Sequence, residues 1–247
     1  MTKREICLMY HDVYKTTPLE SGFSSDLYKI NVDTFNYHLN KIKQLKNEGY
    51  NIVLTFDDGG SSFYDPISGL LDKYGLKGIF FISTKFIEKP GFLTIEQIKD
   101  IYHRGHIIGS HSHSHPENMA SLDQASIKEE WEKSTNILGS IIKAPIKYAS
   151  IPNGYQSRDI LQSASICGIE NLFNSCPTGK IKQFGTMALH GRYVVLSTTG
   201  VKGIEQLCKS NFFSLVLYIK HEILSIPKFL LGNRYEAVKN ILLGIES

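Results

Sequence analysis

Asn51-Ile52-Val53-Leu54-Thr55-Phe56-Asp57-Asp58-Gly59-Gly60 is an apolar run that ends on two adjacent carboxylates and two glycines. Its length and apolarity suit a buried strand, and the glycines permit a turn and a close approach after it. A second stretch repeats the arrangement: His106-Ile107-Ile108-Gly109 leads into Ser110-His111-Ser112-His113-Ser114-His115-Pro116. Both polar segments therefore sit just past a strand. In parallel α/β architectures the loops at that edge converge on one crevice, where sites are built.

The two segments have complementary chemistry. Asp57 and Asp58 place two negative charges within a few ångströms, and without a cation one of them would resist ionising. A bound metal relieves the repulsion and lets one carboxylate act as ligand, the other as base. His111 and His115 lie four apart and face the same way if the loop coils for one turn, while Pro116 disfavours a continuing helix. One carboxylate and two imidazoles leave positions open on a zinc-like ion, which marks a hydrolytic site, not a structural one. Either segment alone could be a turn or a polar loop; their matching places at strand ends argue for a metal site.

Working outward, strands alternate with helices along most of the chain. Residues 6–10 read as a strand and 21–30 as a loop. Phe35, Leu39, Ile42 and Leu45 fall on one face of a helix closed by Gly49. A helix over 67–74 and a strand over 78–82 follow. Thr94-Ile95-Glu96-Gln97 and Ser121-Leu122-Asp123-Gln124 have capping-box form and open two more helices. Strands are expected over 148–151, 170–174 and 187–196, with a helix over 157–167. This alternation predicts a parallel sheet covered by helices, open or closed into a barrel.

Composition narrows the function classes. Across 247 residues, 42% are hydrophobic and 21% charged, with a formal net charge of +3. That is ordinary globular composition, with no basic block to argue for nucleic acid. Cys7, Cys167, Cys176 and Cys208 show no metal-finger spacing and read as reduced thiols. The N-terminal apolar stretch is too short for an export signal, and no run has membrane-spanning length, which gives the expectation of a cytoplasmic protein. Beyond Gly200 the chain turns apolar, through Phe212-Phe213-Ser214-Leu215-Val216-Leu217-Tyr218-Ile219 and residues 223–231. These read as helices packed on the domain, or as a surface resting on a membrane or partner, with Lys220, Lys228 and Arg234 beside them.

The motif pair resembles the polysaccharide deacetylase family, the NodB-homology group of carbohydrate esterases. Its T-F-D-D-G motif corresponds to Thr55 to Gly59, and its H-[ST]-x-x-H motif to His111 to His115. The likeness extends from Met9-Tyr10-His11-Asp12-Val13 through Gly91-Phe92-Leu93-Thr94 to about Val195. It implies a distorted (β/α) barrel over residues 1–199, with a C-terminal helical appendage over 200–247. By position it implies Asp58, His111 and His115 as ligands of a divalent metal, most simply Zn²⁺, and Asp57 as general base. The implied reaction is removal of an N-acetyl group from an amino sugar, glycan or lipid-linked sugar precursor, in bacterial surface-polysaccharide synthesis.

Two parts of the family pattern depart here. Relatives read R-x-P-Y-G in a third motif, whereas this chain has Ser150-Ile151-Pro152-Asn153-Gly154-Tyr155. Pro152, Asn153, Gly154 and Tyr155 are then expected to line the substrate site, and Arg192 is a candidate replacement for the missing arginine. An acid for the leaving amine is expected from His11 or from His190, which stands in a Leu-His pair reminiscent of the family's last motif. Rival readings are an amide hydrolase with a non-sugar substrate and an inactive glycan-binding homologue. The tail's apolar run carries the further expectation of peripheral membrane contact.

Overall fold

The structure, a computed structural model, describes residues 4–23 and 26–231, with side chains as far as residue 223. Its first strands are β1 (Glu5–Tyr10), β2 (Val13–Tyr14), β3 (Ile30–Asn31), β4 (Asn51–Phe56), β5 (Gly78–Ile82) and β6 (Ile107–Ser110). Then come β7 (Tyr148–Ser150), β8 (Asn171–Phe173), β9 (Lys182–Phe184), β10 (Met187–His190) and β11 (Tyr193–Val194). The helices are α1 (Val32–Asn47), α2 (Gly69–Tyr74), α3 (Ile95–His103), α4 (Gln124–Ile142), α5 (Arg158–Ile166), α6 (Val201–Lys209) and α7 (Asn211–Leu231).

Among the described residues nine strands form one sheet in the order β11-β1-β4-β5-β6-β7-β8-β10-β9, and β2 pairs with β3 apart from it. Every neighbour in the large sheet is parallel except β10 with β9. Gly191 and Arg192 alone separate β10 from β11, yet β10 pairs with β8 while β11 pairs with β1, on the far side of the sheet. Two residues can bridge those sides only if the sheet is curled until they meet. The architecture is the distorted, incomplete barrel expected, and the seam lies at Gly191-Arg192.

Strand alternation separates two cores. Ile6, Leu8, Tyr10, Ile52, Leu54, Phe56, Phe80 and Ile82 face outward and pack with the helices. Cys7, Ile79, Phe81 and Phe173, with Val53, Ile107 and Tyr148 beside them, come from strands alone and fill the inside of the curl. Continuing the same period along β4 and β6 carries Asp57 and His111 onto the inner face, at its C-terminal mouth.

The helix signals hold with local shifts. Phe35, Leu39, Ile42 and Leu45 are buried on α1, whose N-cap Asn31 accepts from Asp33 N. The Thr94–Gln97 capping box forms as expected. The box expected at Ser121 does not: Met119–Ser121 is a 3-10 turn and Asp123 caps α4, accepting from Ser126 N. A single strand over 187–196 is likewise corrected to β10 and β11, because the chain must cross the seam. The expected loop at 21–30 contains a 3-10 turn and the start of β3.

In the tail, α6 buries Ile204, Leu207 and Cys208. Arg4 ties both tail helices to the start of β1, donating to Asn211 Oδ1 at 2.9 Å, to Leu207 O at 3.1 Å and to Ser214 Oγ. Phe213 and Leu217 on α7 pack against the core, whereas Phe212, Leu215, Val216, Ile219 and Ile223 are exposed. The side chain of Lys228, and Arg234 altogether, lie outside the described residues. No helix among the described residues is long and apolar enough to cross a membrane.

Candidate metal centre

Asp58, His111 and His115 come together at the mouth of the barrel, one ligand-type atom from each lying within 4.8 Å of the others. The Nε2 atoms of His111 and His115 both sit 3.4 Å from Asp58 Oδ1. His111 Nδ1 faces the Ser150 carbonyl at 3.0 Å and Ser150 Oγ at 2.6 Å. Donation from Nδ1 to that carbonyl orients the ring and turns Nε2, the nitrogen that would bind a metal, toward Asp58. Two imidazole nitrogens, one carboxylate and an oriented outer partner are the donor set of an open catalytic zinc site. The residues fit a divalent ion.

The loops that carry these candidate ligands are set by their backbone. Asp58 has φ 90°, a left-handed conformation that costs a non-glycine residue free energy. Gly60 lies against the buried Asp12, so that an added Cβ would collide with its carboxylate. Asp12 in turn accepts from Ser21 Oγ at 2.5 Å and Ser62 Oγ at 2.7 Å, joining the loops around the mouth. In the histidine loop, Ser112 and His115 also have positive φ. Glu130 on α4 secures that loop, accepting from the N–H groups of His113 and Ser114 at 2.8 and 2.7 Å and from Ser114 Oγ at 2.6 Å. His113 faces away from the ligand cluster, with Nδ1 2.8 Å from Thr84 Oγ1.

Asp57 is held differently from its neighbour. Arg192, fully buried, grips it with two parallel hydrogen bonds, Nη1 to Oδ1 at 2.6 Å and Nη2 to Oδ2 at 2.8 Å. The guanidinium also donates from Nε to Asn174 O at 3.0 Å and lies over the Phe81 ring, 5.5 Å from its centroid. The arginine thus reaches Asp57 from the seam, while Ser150, at the third-motif arginine position, comes within 3.4 Å of Asp57 Oδ1. Burial pushes Asp57 up, but Arg192 and His111 outweigh it and hold the carboxyl below its ordinary range. Burial opposes ionisation of Asp58 too, and its hydrogen bonds from His111 and His115 hold it well below that range. Burial would lower His111, but Asp57 and Asp58 raise it. Both carboxylates are therefore charged at neutral pH, balanced by Arg192 beside Asp57 and by His111 beside both.

The remaining candidates divide. His11 lies at the mouth, near both Asp57 and Asp58. Its ring rests on Tyr28, 4.7 Å between centroids, and its buried Nδ1 has no hydrogen-bond partner among the described residues. His190 is elsewhere. Register places Tyr193 beside Leu8, so Arg192 falls level with Cys7 and His190 level with Glu5, at the N-terminal end of the barrel. Its Nδ1 is 2.7 Å from Glu5 Oε1 and its Nε2 3.1 Å from Asn171 Oδ1. The expectation of His190 as an acid at the metal centre is corrected accordingly: both ring nitrogens are engaged at the other end.

In the third-motif segment, Pro152 is buried and Asn153 and Gly154 have positive φ. Asn153 Nδ2 donates to Glu117 O at 3.2 Å, linking this turn to the histidine loop, and Tyr155 follows at its end. Gly154 N–H donates to Ile151 O at 3.3 Å, so it is spent inside the turn. Ser150, Glu130 and Asn174 were not anticipated. Ser150 stood in a recognisable motif, whereas nothing in the local sequence marks Glu130 or Asn174.

Comparison with known proteins agrees with this geometry. The chitin deacetylase of Arthroderma benhamiae is 36% identical over 92 residues, 37% of this chain and 24% of that protein. The peptidoglycan-N-acetylmuramic acid deacetylase PdaA of Bacillus subtilis is 31% identical over 129 residues, 49% of this chain and 45% of that protein. This chain spans about half or less of the length of such curated relatives. The Streptococcus pyogenes deacetylase PplD, solved with acetate, shares the fold at a TM-score of 0.69 and 21% identity, covering 83% of this chain and 97% of that one. The polysaccharide deacetylase family profile matches residues 44–172, more than half of the sequence. With the two motifs at the mouth of a curled parallel sheet, this chain belongs to the polysaccharide deacetylase family.

Proposed function

We propose that this chain is a metal-dependent N-deacetylase of amino sugars in a glycan or glycan precursor. The observation that carries the reading is a buried Asp57 clamped by Arg192 beside the Asp58–His111–His115 cluster. A divalent ion held by Asp58, His111 and His115, Zn²⁺ being the simplest choice for nitrogen and oxygen donors, supplies Lewis-acid polarisation and a more acidic water. Asp57 takes the proton of the attacking water. Arg192 keeps that carboxylate ionised and aimed, since a two-point clamp fixes the plane of the acceptor. His11, on the same rim with a free ring nitrogen, donates a proton to the departing amine. Asn153 and Tyr155 wall the crevice beside the histidine loop, with Pro152 and Gly154 shaping their turn.

The relatives that act on peptidoglycan and chitin support an N-acetylated polysaccharide or its precursor as substrate, with bacterial surface glycan synthesis as the setting. The departure at Ser150, which would favour an inactive homologue, is offset by Arg192. Acetate release from N-acetylglucosamine oligomers, peptidoglycan fragments and simple N-acetyl amides tests the reading. Release from the sugars alone is expected. Release only from non-sugar amides, or none from any substrate by metal-loaded protein, would overturn it.

Residues 1–199 are assigned the chemistry and 200–247 a supporting role. The exposed apolar residues of α7, with Lys220 among them, suit the surface of an anionic membrane if the substrate is lipid-linked. Co-sedimentation with anionic vesicles at low salt is then expected, and protein remaining in the supernatant refutes the membrane contact.

A further inference from the structure

Glu5 and Cys7 on β1 and His190 on β10 meet across the seam at the end of the barrel opposite the deacetylase centre. One ligand-type atom from each lies within 4.8 Å of the others. Cys7 Sγ is 3.2 Å from Glu5 Oε1, and His190 Nδ1 is 2.7 Å from that same oxygen. Asn171 Oδ1 can only accept, so its 3.1 Å contact places a hydrogen on His190 Nε2 and leaves Nδ1 as the metal-facing atom. Phe173 stacks on the imidazole, 4.5 Å between centroids and 12° between planes, which holds the ring in that orientation.

We propose that Glu5, Cys7 and His190 form a second divalent-metal site, with a preference for thiophilic ions such as Zn²⁺ or Cd²⁺. Sulfur, imidazole and carboxylate together are a donor set that suits these ions and not Mg²⁺ or Ca²⁺. A tetrahedral ion with bonds of about 2.0–2.3 Å separates its ligands by about 3.3–3.6 Å. The contacts of 2.7 and 3.2 Å need open by less than an ångström to admit one. Charge also balances. Thiolate and carboxylate sum to two negative charges, which the ion cancels among the apolar Ile79, Phe81 and Phe173. Binding releases two protons to water, that of the Cys7 thiol and the one held between His190 Nδ1 and Glu5 Oε1. Glu5 and His190 retain side-chain exposures of 17% and 9%, which provides a route of entry from the barrel's N-terminal end. A bound ion would tie β1 to β10 and pin the seam beneath Arg192.

The upper centre contains no sulfur, so a sulfur-to-metal charge-transfer band excludes it, and loss of the band in Cys7→Ser assigns the sulfur ligand to Cys7. Metal-free full-length protein is titrated with Co²⁺ and followed in the near ultraviolet. The band is expected in the wild type and in Asp58→Ala, and it should vanish in Cys7→Ser. Asn171→Ala should weaken Co²⁺ binding at this site about 10–100-fold. Should Cys7→Ser fail to fold, His190→Gln tests the same point. Absence of the band from the wild type overturns the proposal. So does a band that survives Cys7→Ser and is lost in Cys176→Ser, which would move the sulfur ligand to the Cys176–His221–Glu222 cluster at α7.

Discussion

Arg192 and Asp57 offer a quantitative perturbation of the site. Both side chains are buried, and each is the other's principal charge partner through the 2.6 and 2.8 Å bonds. Removing one partner of such a pair leaves an uncompensated buried charge, at a cost of about 3–5 kcal/mol. Arg192→Met and Asp57→Asn should each destabilise the metal-free protein by about that much. The double variant leaves neither charge stranded, so it should cost no more than about one single variant, about 3–5 kcal/mol. The coupling is therefore several kcal/mol, far above the ~0.3–0.5 kcal/mol scatter of independent sites. Urea unfolding with chelator present, analysed as a double-mutant cycle, measures it. Additive losses would refute the clamp. Arg192→Lys keeps the charge but loses the fork, and should lower kcat about 10²-fold with metal content unchanged.

His11→Gln should reduce kcat about 10²–10⁴-fold, most for substrates whose amine is the poorest leaving group, with metal content preserved; equal loss across leaving groups would remove His11 as the acid. Acid stability should reflect His38 and His106, which burial holds neutral by lowering each pKa to about 4. The unfolded chain takes up these protons near its ordinary value of about 6.5. Their contribution is therefore complete above about pH 6.5 and is lost as pH falls towards 4, by up to about 1.4 kcal/mol per pH unit for each imidazole. Replacing His38, which contacts Tyr10 Oη and Thr199 O, with Gln should flatten the profile. An unchanged slope in urea titrations between those pH values would discount His38.

The clustering of Asp58, His111 and His115 is legible in the sequence because its chemistry is local: each motif is contiguous and follows its own strand. The barrel rested on resemblance, since alternation of strands and helices does not distinguish an open sheet from a curled one. Arg192 and His190 show where local reading stops. They are two residues apart on the same inner face, about 7 Å along the strand, and only the parallel register of β11 with β1 decides which of them reaches Asp57. The 187–196 segment reads as one strand because its apolar pattern is unbroken, while the crossing at Gly191-Arg192 is a property of the closed sheet. Glu130 was invisible for a similar reason. It is one acid among several on α4, and its role comes from packing α4 beside the histidine loop.

Metal content and acetate release, read side by side in Asp57→Asn and Asp58→Ala, test the central assignment most directly. Asp57→Asn should keep its metal and lose turnover about 10²–10⁴-fold, because the amide cannot take a proton from water. Asp58→Ala should lose both the metal of the upper centre and activity, and excess Zn²⁺ should not restore it. Wild-type turnover in Asp57→Asn, or full upper-site occupancy in Asp58→Ala, would contradict the division of labour between the two aspartates.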